Sequence, residues 1–363
     1  MGTIRKTFGR LGRCGGRWLL LMLAVGLLAG CGARPTDTEP EPAPTPPEIE
    51  EEVPAPQHKA PLTGLPVDEP VDARVVAVMI ENSSKARPQS GLDQADWVVE
   101  VLAEGWITRF VAFYQSQEPE RLGPVRSVRP YFIDLAEGMD AVLVHAGGSP
   151  EALARLKRTG YEHLDEIYGA GKYFWRESFR KMPHNLYTDM SQLRTAIADR
   201  GWNEKADDLP TFSFYGEGES PNGMAAERME IRYQPSYRVA YTYDASRGQY
   251  VREVNDKPHV DLETEEPLLA TNVIVLEAPH RIVDSVGRRE VNLAGEGDGW
   301  LFQSGVMTPI RWQRQDGGFF QFHDLSGQSV RLVPGTTWVN VIPDQPGLDE
   351  AVTVSNGSES ESQ

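Results

Sequence analysis

Asp140-Ala-Val-Leu-Val-His-Ala-Gly-Gly-Ser-Pro-Glu151 passes from a short apolar run, through a pair of glycines, into the start of a helix. The run Val142–Val144 is unbroken by polar residues, which fits a strand buried on both faces. Ser149 can cap a helix, Pro150 suits its first turn, and Glu151 suits its positive end. Lys157 and Arg158 then suit the negative end, with Gly160 as the stop. A strand that feeds a helix across a glycine turn is the unit of a layered mixed fold.

The surrounding sequence repeats that grammar. Arg74–Glu81 (RVVAVMIE), Trp97–Leu102 (WVVEVL) and Arg109–Tyr114 (RFVAFY) read as further buried strands. Pro130 opens a helix ending near Gly138, and another runs from about Ser191 to Arg200 before Gly201. Beyond residue 225 the helical pattern disappears. Tyr237–Tyr243 alternates and Asn272–Leu276 is a buried run; short strands follow at 300–303, 308–314, 319–323, 328–333 and 336–342, separated by glycine turns. The expected class is α+β: a mixed α/β domain over 61–205, a linker over 206–224, and a mainly antiparallel β domain over 225–343. An acidic, serine-rich tail over 344–363 is expected to stay disordered.

The amino-terminal end reads as an export signal. Arg5, Lys6, Arg10, Arg13 and Arg17 precede the apolar run Leu19–Leu28, and Leu28-Ala-Gly-Cys31 closes it. A run of ten residues is half the roughly 20 a stable membrane span needs. Residues 1–30 are thus expected to be removed, with Cys31 taking the lipid. Residues 31–60 form the anchor and linker; positions 35–56 hold eight prolines and seven acids. At about 3.1 Å per residue in extended polyproline form, that segment spans roughly 70 Å.

Charge and cysteine content narrow the function. The formal charge is −17 and the leader carries five positive charges, so the remainder stands near −22. Nucleic acid is an unsuitable partner for so acidic a body, and an anionic ligand would need a local cluster of arginines. The only other thiol is Cys14, inside the leader, so the exported chain has no disulfide framework or thiolate metal site. No cofactor is expected. His259 and Asp261 share a strand face without a third ligand at diagnostic spacing, so they read as a solvated edge and no metal is expected.

Three stretches carry candidate chemistry. In the first, Gly147, Gly148 and Ser149 open a helix whose N–H groups could face an anion, with His145 at the strand end; the competing account is a tight turn beside a core histidine. In the second, Leu122–Pro130, Arg126 and Arg129 offer guanidinium forks for phosphate or carboxylate, against structural pairing with Asp134, Glu100 or Glu104. In the third, Lys181–Tyr187, His184 and Asn185 could orient a ligand or move a proton, against a role in closing the sheet. Asp96, Glu104 and Arg109 complete the candidate ligand-binding set. Ser127 and Ser149 lack the Gly-x-Ser-x-Gly context of an activated serine.

Several of these strings occur together in one family. Leu62-Thr-Gly-Leu-Pro66, Val78-Met-Ile-Glu-Asn82, Ala86–Leu92, Gly123-Pro-Val-Arg-Ser-Val-Arg-Pro130, His145–Pro150, Pro183–Tyr187, Ala270–Val275 and Pro334–Trp338 resemble the YerB-like lipoproteins of Gram-positive bacteria. The resemblance spans about 61–343 in order and implies two domains of unknown function in an envelope lipoprotein. Trp106 departs from it, standing where a second glycine is expected after Glu104-Gly105. The order of Asp96, Arg126, Arg129 and a helix-opening glycine pair is also similar to the LytR–CpsA–Psr phosphotransferases, which take wall glycopolymers from a polyprenyl pyrophosphate carrier. Their Arg-Asp motif is absent, since Arg129 is followed by Pro130.

Two functions follow as expectations. One is a binding protein, anchored outside the cell membrane, for a wall precursor or an envelope protein. The alternative is an enzyme on an anionic envelope substrate, with Arg126 and Arg129 holding the anion and His145 or His184 as acid or base.

Overall fold

The computed structural model describes residues 58–356. Cys31, the leader before it, the proline-rich segment 35–56 and residues 357–363 lie outside the described residues. In chain order the main elements of the first half are β1 (Val76–Glu81), β2 (Trp97–Glu104), β3 (Ile107–Tyr114), α1 (Pro130–Gly138), β4 (Val142–His145), α2 (Pro150–Thr159), β5 (His163–Asp165) and α3 (Met190–Asp199). They are followed by β6 (Arg228–Gln234), β7 (Tyr237–Asp244), β8 (Gln249–Val254), β9 (Asn272–Ala278), β10 (Gly295–Gln303), β11 (Val306–Arg314), β12 (Gln321–Asp324), β13 (Thr337–Pro343), α4 (Leu348–Ala351) and β14 (Val352–Ser355). The class is mixed helix and sheet, with mainly antiparallel strands in the later part.

An eleven-stranded sheet runs through the centre in the order β11-β10-β9-β13-β2-β3-β1-β4-β5, with Met224–Ala225 and β12 both pairing with β11. Strands from both expected parts share this sheet. They meet where β13 lies parallel to β2, with Thr337 opposite Trp97 and Val341 opposite Val101. A second, six-stranded sheet is antiparallel and takes β8, β7, β6 and β14 in that order.

Alternation along β1 explains why its sequence has no polar side. Val76, Val78 and Ile80 enter one core, with Leu193 and Ile197 of α3 and with Met229, Val239 and Tyr241 of the second sheet. Val75, Ala77 and Met79 enter the other, with Phe132 and Leu135 of α1 and Leu156 of α2. Both faces are covered, so the strand reads as one apolar run.

The helix ends follow their caps. The Ser149 hydroxyl accepts from Ala152 N and Gly160 closes α2 at φ 66°, and α1 spans Pro130–Gly138 as its sequence predicts. The expected disordered tail is corrected over 348–355. There α4 buries Leu348 and Ala351, and β14 pairs with β6, Val352 lying opposite Ile231. The open edge of β6 supplies backbone partners that the tail's acidic composition does not reveal.

Candidate functional site

β1, β2, β4, β5, β9 and β13 all point the same way through the central sheet. Their carboxyl ends therefore form one edge, the usual ligand edge of such sheets. Asp165, His145, Glu81 and Glu104 end β5, β4, β1 and β2 there, and Arg109 of β3 lies opposite Glu81. The segment 124–129 crosses this edge. Arg126 N bonds Met79 O at 2.8 Å, Ala146 N bonds Arg126 O at 3.1 Å, and Val128 N bonds Gly147 O at 3.0 Å.

That crossing gathers the arginines. Arg129 pairs with Glu104 through Nη2, and Arg109 Nη2 lies 3.9 Å from the same carboxylate. Arg126 Nε lies 3.5 Å from Glu81 Oε2, while Glu81 Oε1 takes His184 Nδ1 and Ser83 Oγ, both at 2.8 Å. Three guanidiniums thus face two carboxylates. Nε of Arg109, Arg126 and Arg129 is buried without a hydrogen-bond partner in each case. Burial, with the neighbouring Arg126 charge added, pulls Arg109 down to about 10, which still leaves it charged at neutral pH. Burial also lowers Arg129.

The structure separates the remaining candidates from this group. His145 turns inward: Nδ1 lies 2.9 Å from Gly147 O and Nε2 lies 2.9 Å from His163 Nδ1. Since a carbonyl only accepts, Nδ1 carries the proton of the neutral ring and Nε2 accepts from His163. Gly147 N donates to Asp165 Oδ1 at 2.8 Å and Ser149 N to Val128 O at 3.2 Å, so these donors of the glycine turn are engaged within the protein. Gly148 is needed for close packing, because a Cβ there would come within 2.8 Å of Val128. Asn185 bonds Glu177 O and Arg176 inside its own loop. Asp96 starts β2 at the opposite edge and accepts from Gln115 N at 2.6 Å and Ser116 N at 3.0 Å.

Two pairings and one exposure differ from the sequence reading. Glu100 pairs not with the loop arginines but with Arg252 at 2.6 Å, both fully buried. Asp134 pairs with Arg155 at 2.7 Å. The expectation of a solvated edge at His259 and Asp261 is corrected: both are buried. His259 Nδ1 lies 2.5 Å from Arg252 and Nε2 lies 2.7 Å from Gln89 Oε1, while Asp261 accepts from Leu92 N at 3.0 Å. Gln89 and Leu92 come from the first half of the chain, far away in sequence, and residue spacing carries no trace of such a contact.

Glu81 is the site residue the sequence concealed, since it closes an apolar strand run; its signal is a lone acid at the carboxyl end of a buried strand. No group of three or more His, Cys, Asp or Glu able to hold a metal ion occurs among the described residues, and no helix among them is long and apolar enough to cross a membrane.

Comparison with known proteins fits this architecture. Residues 62–203 match the family model "Protein of unknown function (DUF3048) N-terminal domain" and residues 229–339 match its C-terminal domain. "Putative lipoprotein YerB" of Bacillus subtilis (strain 168) is 39% identical over 301 residues, covering 82% of this chain and 89% of that protein. The crystal structure of the YerB protein from Bacillus subtilis superposes with a TM-score of 0.75 at 36% identity, covering 83% of this chain and 100% of that one. The chain belongs to the DUF3048 family, together with YerB.

Proposed function

We propose that the protein is a lipid-anchored accessory protein of the cell envelope that binds an anionic group at the carboxyl edge of its central sheet. The observation that carries this reading is the arginine surplus. Among the described residues, Arg109, Arg126 and Arg129 make ion pairs only with Glu81 and Glu104, in a chain of formal charge −17. Nε of each is also buried without a hydrogen bond, that of Arg126 standing 3.5 Å from Glu81 Oε2, and an unmet buried donor is costly until a ligand accepts from it. The anchor is Cys31 in Leu-Ala-Gly-Cys, which puts the body on the outer face of the membrane; a relative that carries a lipoprotein name supports this. The ligand fitting such a cluster is the phosphate or pyrophosphate of a wall precursor, or an acidic segment of an envelope protein.

Pyrophosphate and a lipid-linked wall precursor should raise the melting temperature of the purified protein. Arg126→Ala should reduce the apparent affinity by roughly tenfold or more, the loss expected for a charge-assisted contact. An equal shift in parent and variant would remove the arginines from the explanation.

A catalytic reading has one observation in its favour. Glu81 holds the partly exposed His184 ring through Nδ1, and its other carboxylate oxygen faces Arg126, the arrangement of an oriented acid–base group. His184→Gln would then abolish turnover of an anionic substrate while leaving its binding intact.

A further inference from the structure

Next to this edge lies a cavity whose lining differs in character from the arginine cluster. Its volume is about 200 Å³, and Asn82, Ser83, Ser84, Arg87, Trp106, Ile107, Thr108, Gln234, Ser236 and Tyr237 surround it. It is walled by both halves of the chain, with the turn after β1 on one side and the β6–β7 turn on the other.

Arg87 is the distinctive cation here. Its Nη1 bonds Asn82 O at 2.8 Å and Asn82 Oδ1 at 3.2 Å, and its guanidinium sits 5.3 Å from the centre of the Tyr237 ring. Among the described residues it makes no ion pair, although the chain is strongly acidic. Arg180 donates to the carbonyls of Ala86 and Pro88 on either side of it, and Arg289 stands over Trp106 at 4.8 Å. Neither of these forms an ion pair among the described residues, while the two carboxylates that touch the lining, Glu100 and Glu81, already face Arg252 and Arg126, so cations are in excess around the cavity.

The rest of the lining is amphipathic. Trp106 is 50% exposed and Ile107 46% exposed, an unusual outlay of apolar surface at a β-turn. Ser84, Gln234 and Ser236 line the same cavity, and their side chains make no hydrogen bond to another described residue. A flat indole, uncommitted hydroxyl and amide groups, and a guanidinium without a carboxylate suit a ring with one apolar face, several hydroxyls and one negative charge. The volume is below the roughly 300–1,000 Å³ of sites for drug-sized ligands, so it suits a single ring.

We infer that this cavity is a binding site for one anionic sugar unit, with Arg87 on the phosphate or carboxylate and the ring packed on Trp106. The site adjoins the arginine edge through Ser83, whose hydroxyl bonds Glu81, but it uses different residues and does not depend on the reading proposed above.

The test is calorimetric titration of the complete exported chain with glucose 1-phosphate, glucuronate, glucose and inorganic phosphate. The two anionic sugars should bind, and glucose and phosphate should each bind at least roughly tenfold more weakly. Arg87→Gln and Trp106→Gly should each weaken the anionic sugars by roughly tenfold or more, as truncation of a central anchor does. An Arg126→Ala background, which weakens the arginine edge, should leave these differences between ligands and between variants in place. Unaltered thermal melting of the variants separates lost binding from lost folding; where Arg87→Gln melts early, Trp106→Gly at the exposed turn decides the matter. In the Arg126→Ala protein, equal binding of phosphate and glucose 1-phosphate or equal binding of glucose would overturn the assignment, as would sensitivity to Arg126→Ala without sensitivity to Arg87→Gln. That last result would place the ligand on the arginine edge instead.

Discussion

Arg252→Met is expected to cost roughly 3–5 kcal/mol of folding stability, the loss typical when one partner of a buried ion pair is removed. Glu100 and Arg252 are both fully buried, and no water can replace the missing guanidinium. Glu100 Oε2 takes Arg252 Nη2 at 2.6 Å, while Oε1 accepts from Thr108 at 2.6 Å, Tyr237 at 2.5 Å and Asn82 at 3.1 Å. Burial alone would lower the Arg252 pKa, yet the Glu100 carboxylate holds it well above the ordinary arginine value. The guanidinium also lies 5.0 Å from the Trp338 ring and 5.4 Å from that of Phe110, so methionine keeps much of the packing and the loss reports charge. Urea unfolding followed by tryptophan fluorescence measures it. Adding Glu100→Gln to Arg252→Met should recover a large part of the loss, because the buried charge is then gone. A single variant within about 1 kcal/mol of the parent would mean that Glu100 takes up a proton or finds another cation.

The second large effect is a loss of stability in mild acid that passes through His145. Its ring is fully buried, and burial, with the Asp165 charge opposing and the His163 charge assisting, pulls its pKa from 6.5 to about 4. A second proton would place an N–H against the N–H of His163. As pH falls, the unfolded chain takes up this proton first, so the folded form loses stability between pH 6.5 and about 4 and loses no more below that. The shift corresponds to about 3 kcal/mol for this residue. His259 works in the same direction, lowered well below its usual value by burial and then by Arg252 and Arg87. Unfolding curves at pH 7 and pH 4.5 should therefore differ less for His145→Asn than for the parent, by an amount on the order of 3 kcal/mol. If the two proteins show the same pH difference, His145 is not held neutral by its surroundings.

What could be read from the residues is what local physics enforces. β1 to β4 are mostly apolar because both faces of the sheet are covered, and α1 and α2 begin at Pro130 and Pro150 because each proline suits a first turn. β14 was hidden because Val352-Thr-Val-Ser355 is short and follows acidic residues; only the distant β6 edge makes it a strand. The site divides in the same way. Arg126 and Arg129 stand out as cations in an acidic chain, and Glu104 was among the partners the sequence offered for them. Glu81 looked like the end of a strand, and Arg87 was one letter in a family string. Only the fold shows that the first carries His184 and that the second has no carboxylate partner among the described residues.

The position of β13 carries a consequence for the order of events during synthesis and export. β13 fills the slot between β2 and β9, so the outer edge of β2 waits for a partner emerging 240 residues later in the chain, as Thr337 opposite Trp97 shows. Until then β2 presents bare amides and carbonyls, an invitation to mispairing. The body cannot close as its first half appears; it must wait until nearly the whole chain is present. Under the export proposed above, late closure would keep the chain threadable until the crossing is nearly over.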